Sequence, residues 1–556
     1  MTETEQTAAQ PEAPHVRATD AATEPVVQAE SEPSVANDVS EPRSTKRSPE
    51  KAVWYRLRRA AHRRLPGLFS HPVSSEAVRA HRKRDAEENA ETAPPADEFV
   101  DLRCLWAVEF YTPAHIDQLL ASFRRLGWDK EDYVTATDPG QWLQQLRERP
   151  YGGGWLNFGT IVRPDARGVF GINRTAPLPE HVKNATGKMY SLTSSLTCVC
   201  IGFEFTETFA RQFDDALRLQ RHTYTKPSRR GYQIIGPESQ KVAHVRDIRK
   251  QMQRSALTWF QKHMPGLFAS GLLEGGIPTC EFVSLRQSEP FTPRDKTSRW
   301  PSYLFTLGIE HDIDAWLSAD APGLKFAWPS ARRGDNPYHA ILALKEEAMS
   351  EERIETWGSG RDGQINYVDL IIQGLLGRWA ILPMLNGYAR HLNAIRDSTA
   401  LRPSARTNAL KVLDSLSRHV SYNADIAAVT SELIPFAENA HLFEHDVASF
   451  KPVRPDLCKN ASHTLADGIR ISVLEQAKWL QKSDLSVRDH LTQYGSLLGS
   501  NENVKLQRQL GTLTWIIVVL TVAILLLTFL ALVAAAGEAG EASLLNFIGD
   551  YWPRLF

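Results

Sequence analysis

Cysteine is scarce in this chain: Cys104, Cys198, Cys200, Cys280 and Cys458 are spread over 556 residues. That excludes a disulfide framework and fits a reducing compartment. No second cysteine pair accompanies Cys198 and Cys200 to complete a tetrahedral zinc site, so these two are expected to be buried thiols on one side of a strand. The opening MTETEQTAAQPEAP lacks both the basic and the apolar regions of a secretory signal, and the bulk of the chain is therefore expected to stay inside the cell. A phosphate loop is missing too. Tyr151-Gly-Gly-Gly-Trp155 is rich in glycine, but no Gly-Lys-Ser/Thr follows it and it opens no evident helix. No cofactor is expected. Net charge is nearly absent, −1 at pH 7, but the balance hides strong segregation along the chain.

Charge is missing altogether from Gln509–Gly537, whose core Trp515–Ala536 reads WIIVVLTVAILLLTFLALVAAA. At about 1.5 Å rise per residue, roughly 20 apolar residues cross the hydrocarbon core of a bilayer. One transmembrane helix is therefore expected over 513–536, followed by a short tail at 537–556. Lys505 and Arg508 precede the span while Glu538 and Glu541 follow it, and positive charge favours the cytoplasmic side. The chain reads as a tail-anchored, single-pass protein of the cell membrane with its large N-terminal part in the cytoplasm. Arginine outnumbers lysine by more than two to one, a bias that points to a bacterium with GC-rich DNA.

Residues 1–42 carry nine Asp/Glu and one Arg with almost no aromatics; such a segment buries too little apolar area to offset ordering entropy and reads as an acidic disordered tail. The sign reverses over 43–84, with 13 Lys/Arg against Glu50 and Glu76. Within this stretch Trp54, Leu57, Ala61, Leu65 and Leu68 recur at helical spacing, surrounded by Arg56, Arg58, Arg59, Arg63 and Arg64 and interrupted at Pro66-Gly67. A short basic amphipathic helix of this kind lies on an anionic leaflet, each basic residue contributing about 1 kcal/mol near the surface. Nucleic acid is the less favoured partner for the same arginines, and a solvated basic linker is the plain alternative. An acidic, Pro-containing stretch, Asp85–Asp101, then separates this segment from the first globular domain, and 43–98 reads as a basic amphipathic segment and linker.

From 99 to 335 strand and helix signals mix, which argues an α+β domain. Leu105–Phe110 and Leu196–Phe205 read as strands, each followed by a threonine (Thr112, Thr206) that starts a helix. Tyr303–Glu310 reads as a third such strand with a helix around Ile313, Trp316 and Leu317 after it. Three similar units suggest related halves. Residues 336–460 read as a helical domain, with helices at His339–Trp357, Ile365–Ile395, Ser404–Val420 and Asp425–Phe450. A stalk helix is expected over 461–512, where Val473, Leu480, Val487 and Tyr494 with Ala477, Leu491 and Leu498 keep heptad spacing. That stripe serves either homo-oligomerisation or packing on the chain's own helices.

The last part of the chain, GSLLGSNENVKLQRQLGTLTWIIVVLTVAILLLTFLAL over Gly495–Leu532, resembles the stalk end and first membrane helix of CorA-like magnesium transporters. The family's Gly-Met-Asn signature and second membrane helix are absent. The resemblance implies a stalk-and-anchor architecture and does not carry metal transport with it.

Three constellations are candidates for chemistry. His441, Glu444 and His445 match the H-x-x-E-H spacing of a zinc site on a helix, against the plainer reading of a polar helix face. Glu310, His311, Asp312 and Asp314 form an acidic cluster expected to cap a helix N-terminus. Glu109, Glu204 and Glu310 end the three strand-like units and would converge if those strands were neighbours. No catalytic set is identified. The leading expectation is a membrane-bound binding or signalling protein with a protein or small-molecule partner; the alternatives are an oligomeric membrane-perturbing effector and a membrane-tethered enzyme.

Overall fold

The computed structural model describes residues 49–538 apart from 66–67, 70–73, 130–137, 149–152, 167–172, 229–230, 272, 274, 293–301, 329–337, 401–424 and 457–462. The tail at 1–42, the helix expected over Ser404–Val420 and all but the first two residues of 537–556 lie outside the described residues. The chain forms two units, Met1–Pro72 and Val73–Phe556. In the first, the described residues form helix α1 (Pro49–Arg64) and the turn after it.

The second unit is built on a ten-stranded mixed sheet. Its strands are β1 (Val100–Tyr111), β2 (Gly154–Val162), β3 (Asn173–Thr175), β4 (Val182–Ser191) and β5 (Thr197–Phe205), then β8 (Thr279–Leu285), β9 (Ala315–Ser318), β10 (Lys325–Ala327), β11 (His339–Lys345) and β12 (Phe450–Pro452). A separate hairpin holds β6 (Tyr224–Ser228) and β7 (Gly231–Ile235). The order is β12-β9-β10-β11-β8-β1-β5-β4-β2-β3, antiparallel except for β11 with β8 and β2 with β3. Strand β1, VDLRCLWAVEFY, is buried along its whole length because helices cover both faces of the sheet centre.

The covering helices are α2 (Ile116–Leu126), α3 (Glu207–Arg218), α4 (Pro237–His263), the short α5 (Ser302–Leu307), α6 (Gly360–Trp379), α7 (Ile381–Ala400), the five-residue α8 (Ala440–Glu444) and α9 (Leu465–Glu538). Thr206 starts α3 as expected, its hydroxyl accepting the Phe209 N–H. Helix α6 lies on one face, where the Trp106 indole donates to Asp369 at 2.7 Å. Gly202 of the neighbouring strand makes room for that indole: a Cβ there would lie 2.6 Å from its nitrogen. A β-bulge between Leu102 and Cys104 lets Arg103 reach Gln364 of the same helix, although Arg103 and Trp106 have opposite parity along the strand. Helix α4 lies on the other face, with Trp259 edge-on to Phe203 at 5.5 Å and the Met264 carbonyl accepting the Tyr111 hydroxyl at 2.6 Å.

Several expectations are corrected. Tyr303–Glu310 is no strand; its first half is α5, and the residues after it enter β9 instead of a helix. His339–Trp357 begins as β11, in parallel register with β8. A short apolar run has no period that separates strand from helix, and the available pairing partner decides. The segments assigned to a separate helical domain therefore supply two strands, β11 and β12, to the one sheet. Asp85, Asn89 and Glu98 are buried, not part of a solvated linker: Asp85 accepts the backbone N–H and hydroxyl of Thr223, and Glu98 accepts the backbone N–H of Arg286 and Ser288.

Helix α9 changes environment along its length. Leu465, Ile469, Val473, Ala477, Leu480 and Val487 are buried, so the first half of the heptad stripe packs into the chain's own core; the side chains of Leu491, Tyr494 and Leu498 lie outside the described residues. Farther on, Leu506–Val533 is long and apolar enough to cross a membrane, and none of it is buried. Gly360–Asp397 passes the same length and composition test, yet most of it is buried within the fold. Burial separates the two helices where composition does not.

Candidate functional site

On α1 the arginines and apolar residues are displayed as the spacing implies. Trp54 and Leu57 are 58% and 65% exposed, and Val53, Leu65, Leu68 and Phe69 are exposed beside them. Arg56, Arg63 and Arg64 are exposed, Arg58 and Arg59 half-buried. The Arg58 guanidinium lies 5.0 Å from the centre of the Trp54 ring, a cation–π contact that sets the indole among the charges.

The other expected sites do not assemble. Helix α8 stops at Glu444 with His445 as its C-cap, and the His441 and His445 rings lie 6.2 Å apart, one helical turn from each other. Glu444 faces Arg470 at 3.7 Å, and Arg378 clamps the helix end by donating to the carbonyls of Phe443 and His445. Among the described residues no group of three or more potential metal ligands converges. Cys198 and Cys200 are buried in β5, where burial pushes both thiols up.

Glu109, Glu204 and Glu310 have three different fates. Strands β1 and β5 are indeed neighbours, but Glu204 pairs with Cys104 in register, five positions from Glu109. At about 3.4 Å per residue that separates the two carboxylates by roughly 17 Å. Glu204 meets Lys183 at 3.0 Å and Arg361 at 3.4 Å. Glu109 is fully buried, accepts backbone N–H groups from Phe110, Phe268 and Ala269, and burial outweighs those donors to push it up to about 8. Glu310 follows α5 and lies 3.4 Å from His311, while Asp312 pairs with Arg454 at 3.4 Å. The acidic cluster precedes a strand and caps no helix.

Two features of α4 escaped the reading of the sequence. On its buried side, Arg249 donates from Nε to both oxygens of Glu281 at 3.0 Å, and His339 Nε2 lies 3.1 Å from the same carboxylate. Gln253 donates to the Thr279 hydroxyl at 3.0 Å, which bonds His339 Nδ1 at 3.0 Å. Burial raises Glu281, but Arg249 and His339 outweigh it and hold the carboxylate at about 2. This cluster is sealed in the core and locks α4 to β8 and β11.

On the open side of α4 runs a cleft of about 790 Å³, within the usual size range of ligand sites. One wall is a single helix face, Asp247, Lys250, Gln251, Arg254, Ser255, Thr258 and Lys262; the other is Pro177–Pro179. The Trp259 indole donates to the Pro177 carbonyl at 2.9 Å and ties the walls together. Arg163 straps the far wall by donating to the carbonyls of Pro179, Glu180 and Val182. Arg125 donates to the carbonyls of Lys262 and His263; burial, then the Lys262 and Arg125 charges, pushes the His263 imidazole down. Comparison with protein-family models, with curated proteins and with solved structures finds no match to this chain. The basic residues of α4 stand at helical spacing in the sequence, a signal that could have marked this face but not the second wall.

Proposed function

We propose that this chain is a binding or signalling protein anchored in the cell membrane, with its sheet domain at the cytoplasmic face. The observation that carries the reading is the wholly exposed apolar stretch Leu506–Val533, continuous in one helix with residues packed in the core of the sheet domain. Water does not tolerate that much apolar surface, whereas a bilayer removes it at a gain of about 0.8 kcal/mol per CH₂ group. Lys505 and Arg508, just before the uncharged run that starts at Gln509, favour the cytoplasmic side for the domain. The exposed Trp54, Arg56, Arg63 and Arg64 of α1 suit an anionic leaflet as a second contact.

The test is protease protection. The protein should resist alkaline carbonate extraction from membranes, and protease added outside intact spheroplasts should leave the sheet domain whole. Release by carbonate, or digestion of the domain from outside, overturns the reading.

A further inference from the structure

We propose that the cleft along α4 binds an extended acidic peptide segment of a partner protein, with carboxylates at both ends and an apolar residue between them. The assignment rests on reading the chain as a binding protein. Its cations fall into two groups, Lys250 with Arg254 and Lys262 with Arg125 behind it. At about 1.5 Å per helical residue the groups are roughly 12–18 Å apart, which four or five residues of extended chain span at about 3.3 Å each.

Among the described residues the side chains of Lys250, Arg254 and Lys262 make no ion pair, and all three are exposed. Between the two groups the walls are apolar, from Pro177, Leu178 and Trp259, with the Ser255 and Thr258 hydroxyls placed to meet a peptide backbone. Asp247, the one carboxylate of the lining, lies a turn beyond Lys250 and limits the acidic run at that end. A concave groove excludes a flat bilayer. Trp259 is only 4% exposed, so it offers no face for base stacking, which sequence-tolerant binding of single-stranded nucleic acid requires. The strapped far wall is already in place, which lowers the ordering cost of binding.

The probe is a capped, fluorescently labelled heptapeptide with two glutamates at each end and Ala-Leu-Ala between them, titrated into full-length protein in a neutral detergent. Saturable binding that weakens with salt is expected, with at least tenfold loss on Lys250→Glu plus Arg254→Glu and at least threefold loss when the peptide leucine becomes serine. Ser255→Trp fills the cleft without changing charge and should also weaken binding at least tenfold; both variants change exposed or half-buried positions, and unchanged thermal midpoints confirm their folding. No binding, wild-type affinity in either variant, or tighter binding of an oligonucleotide of equal charge overturns the assignment. Failed peptide binding by a protein that passes the protease test removes this site alone. Retained binding by a protein that fails that test removes the anchored orientation alone.

Discussion

Replacing Glu109 by Gln should change how stability depends on pH. In the wild type the buried carboxyl stands at about 8 against an ordinary 4.5. Between those values the folded state holds a proton that the unfolded chain has released. The contribution is therefore fully present below pH 4.5, declines as pH rises, and is lost as pH passes 8. One unit corresponds to about 1.36 kcal/mol; allowing for partial titration near 8, stability should fall by about 2 kcal/mol between pH 6 and pH 8 through this group. Glutamine stays neutral throughout. Its amide oxygen can replace the carboxylate oxygen that accepts from Phe110 and Phe268, but its NH₂ then faces the Ala269 N–H, at a cost of about 1–3 kcal/mol. Glu109→Gln should be the less stable protein at pH 6, and the gap should close towards pH 8. Urea denaturation of the full chain in detergent, followed by tryptophan fluorescence across this range, measures the difference while other titrating groups cancel. Parallel curves for the two proteins would refute the argument: the three N–H donors would then outweigh burial and keep Glu109 ionised.

Arg249→Met strips the buried Glu281 of its main counter-charge and should destabilise the fold by roughly 3–5 kcal/mol in the same assay. Because Glu281 is held at about 2 in the folded state, its contribution is present above its ordinary 4.5 and is lost as pH falls towards 2; Glu281→Gln should flatten that acid limb. Leu480→Ala should cost about 2–5 kcal/mol of stability without changing the size of the particle by light scattering, since Leu480 is buried in its own chain. A peptide of residues 49–69 should bind vesicles containing anionic lipid and detach as salt screens the arginines; equal binding to neutral vesicles would remove the electrostatic role of α1.

Some of this protein was legible in its sequence because the information is local. A charge-free apolar stretch declares a membrane-length helix wherever it sits, and the structure leaves Leu506–Val533 unburied. The spacing of Trp54, Leu57 and the arginines is that of a helix, and Pro49–Arg64 forms one as α1. Strands β1 and β5 are dense in apolar residues, and Thr206 starts the next helix by its own hydroxyl. Tertiary structure decided the rest. HAILALK and YLFTLGIE are both short apolar runs, and pairing partners on either side, β8 in parallel and β10 antiparallel, make the first a strand while most of the second coils into α5. Glu109, Glu204 and Glu310 carry the same side chain, yet one meets backbone donors, one meets cations and one sits beside a histidine, because their partners come from segments distant in sequence or from turns no period predicts. The α4 cleft follows the same rule: its basic face is written in consecutive turns of one helix, but its second wall, Pro177–Pro179, arrives from far upstream, and a concave site exists only once folding brings the two surfaces together.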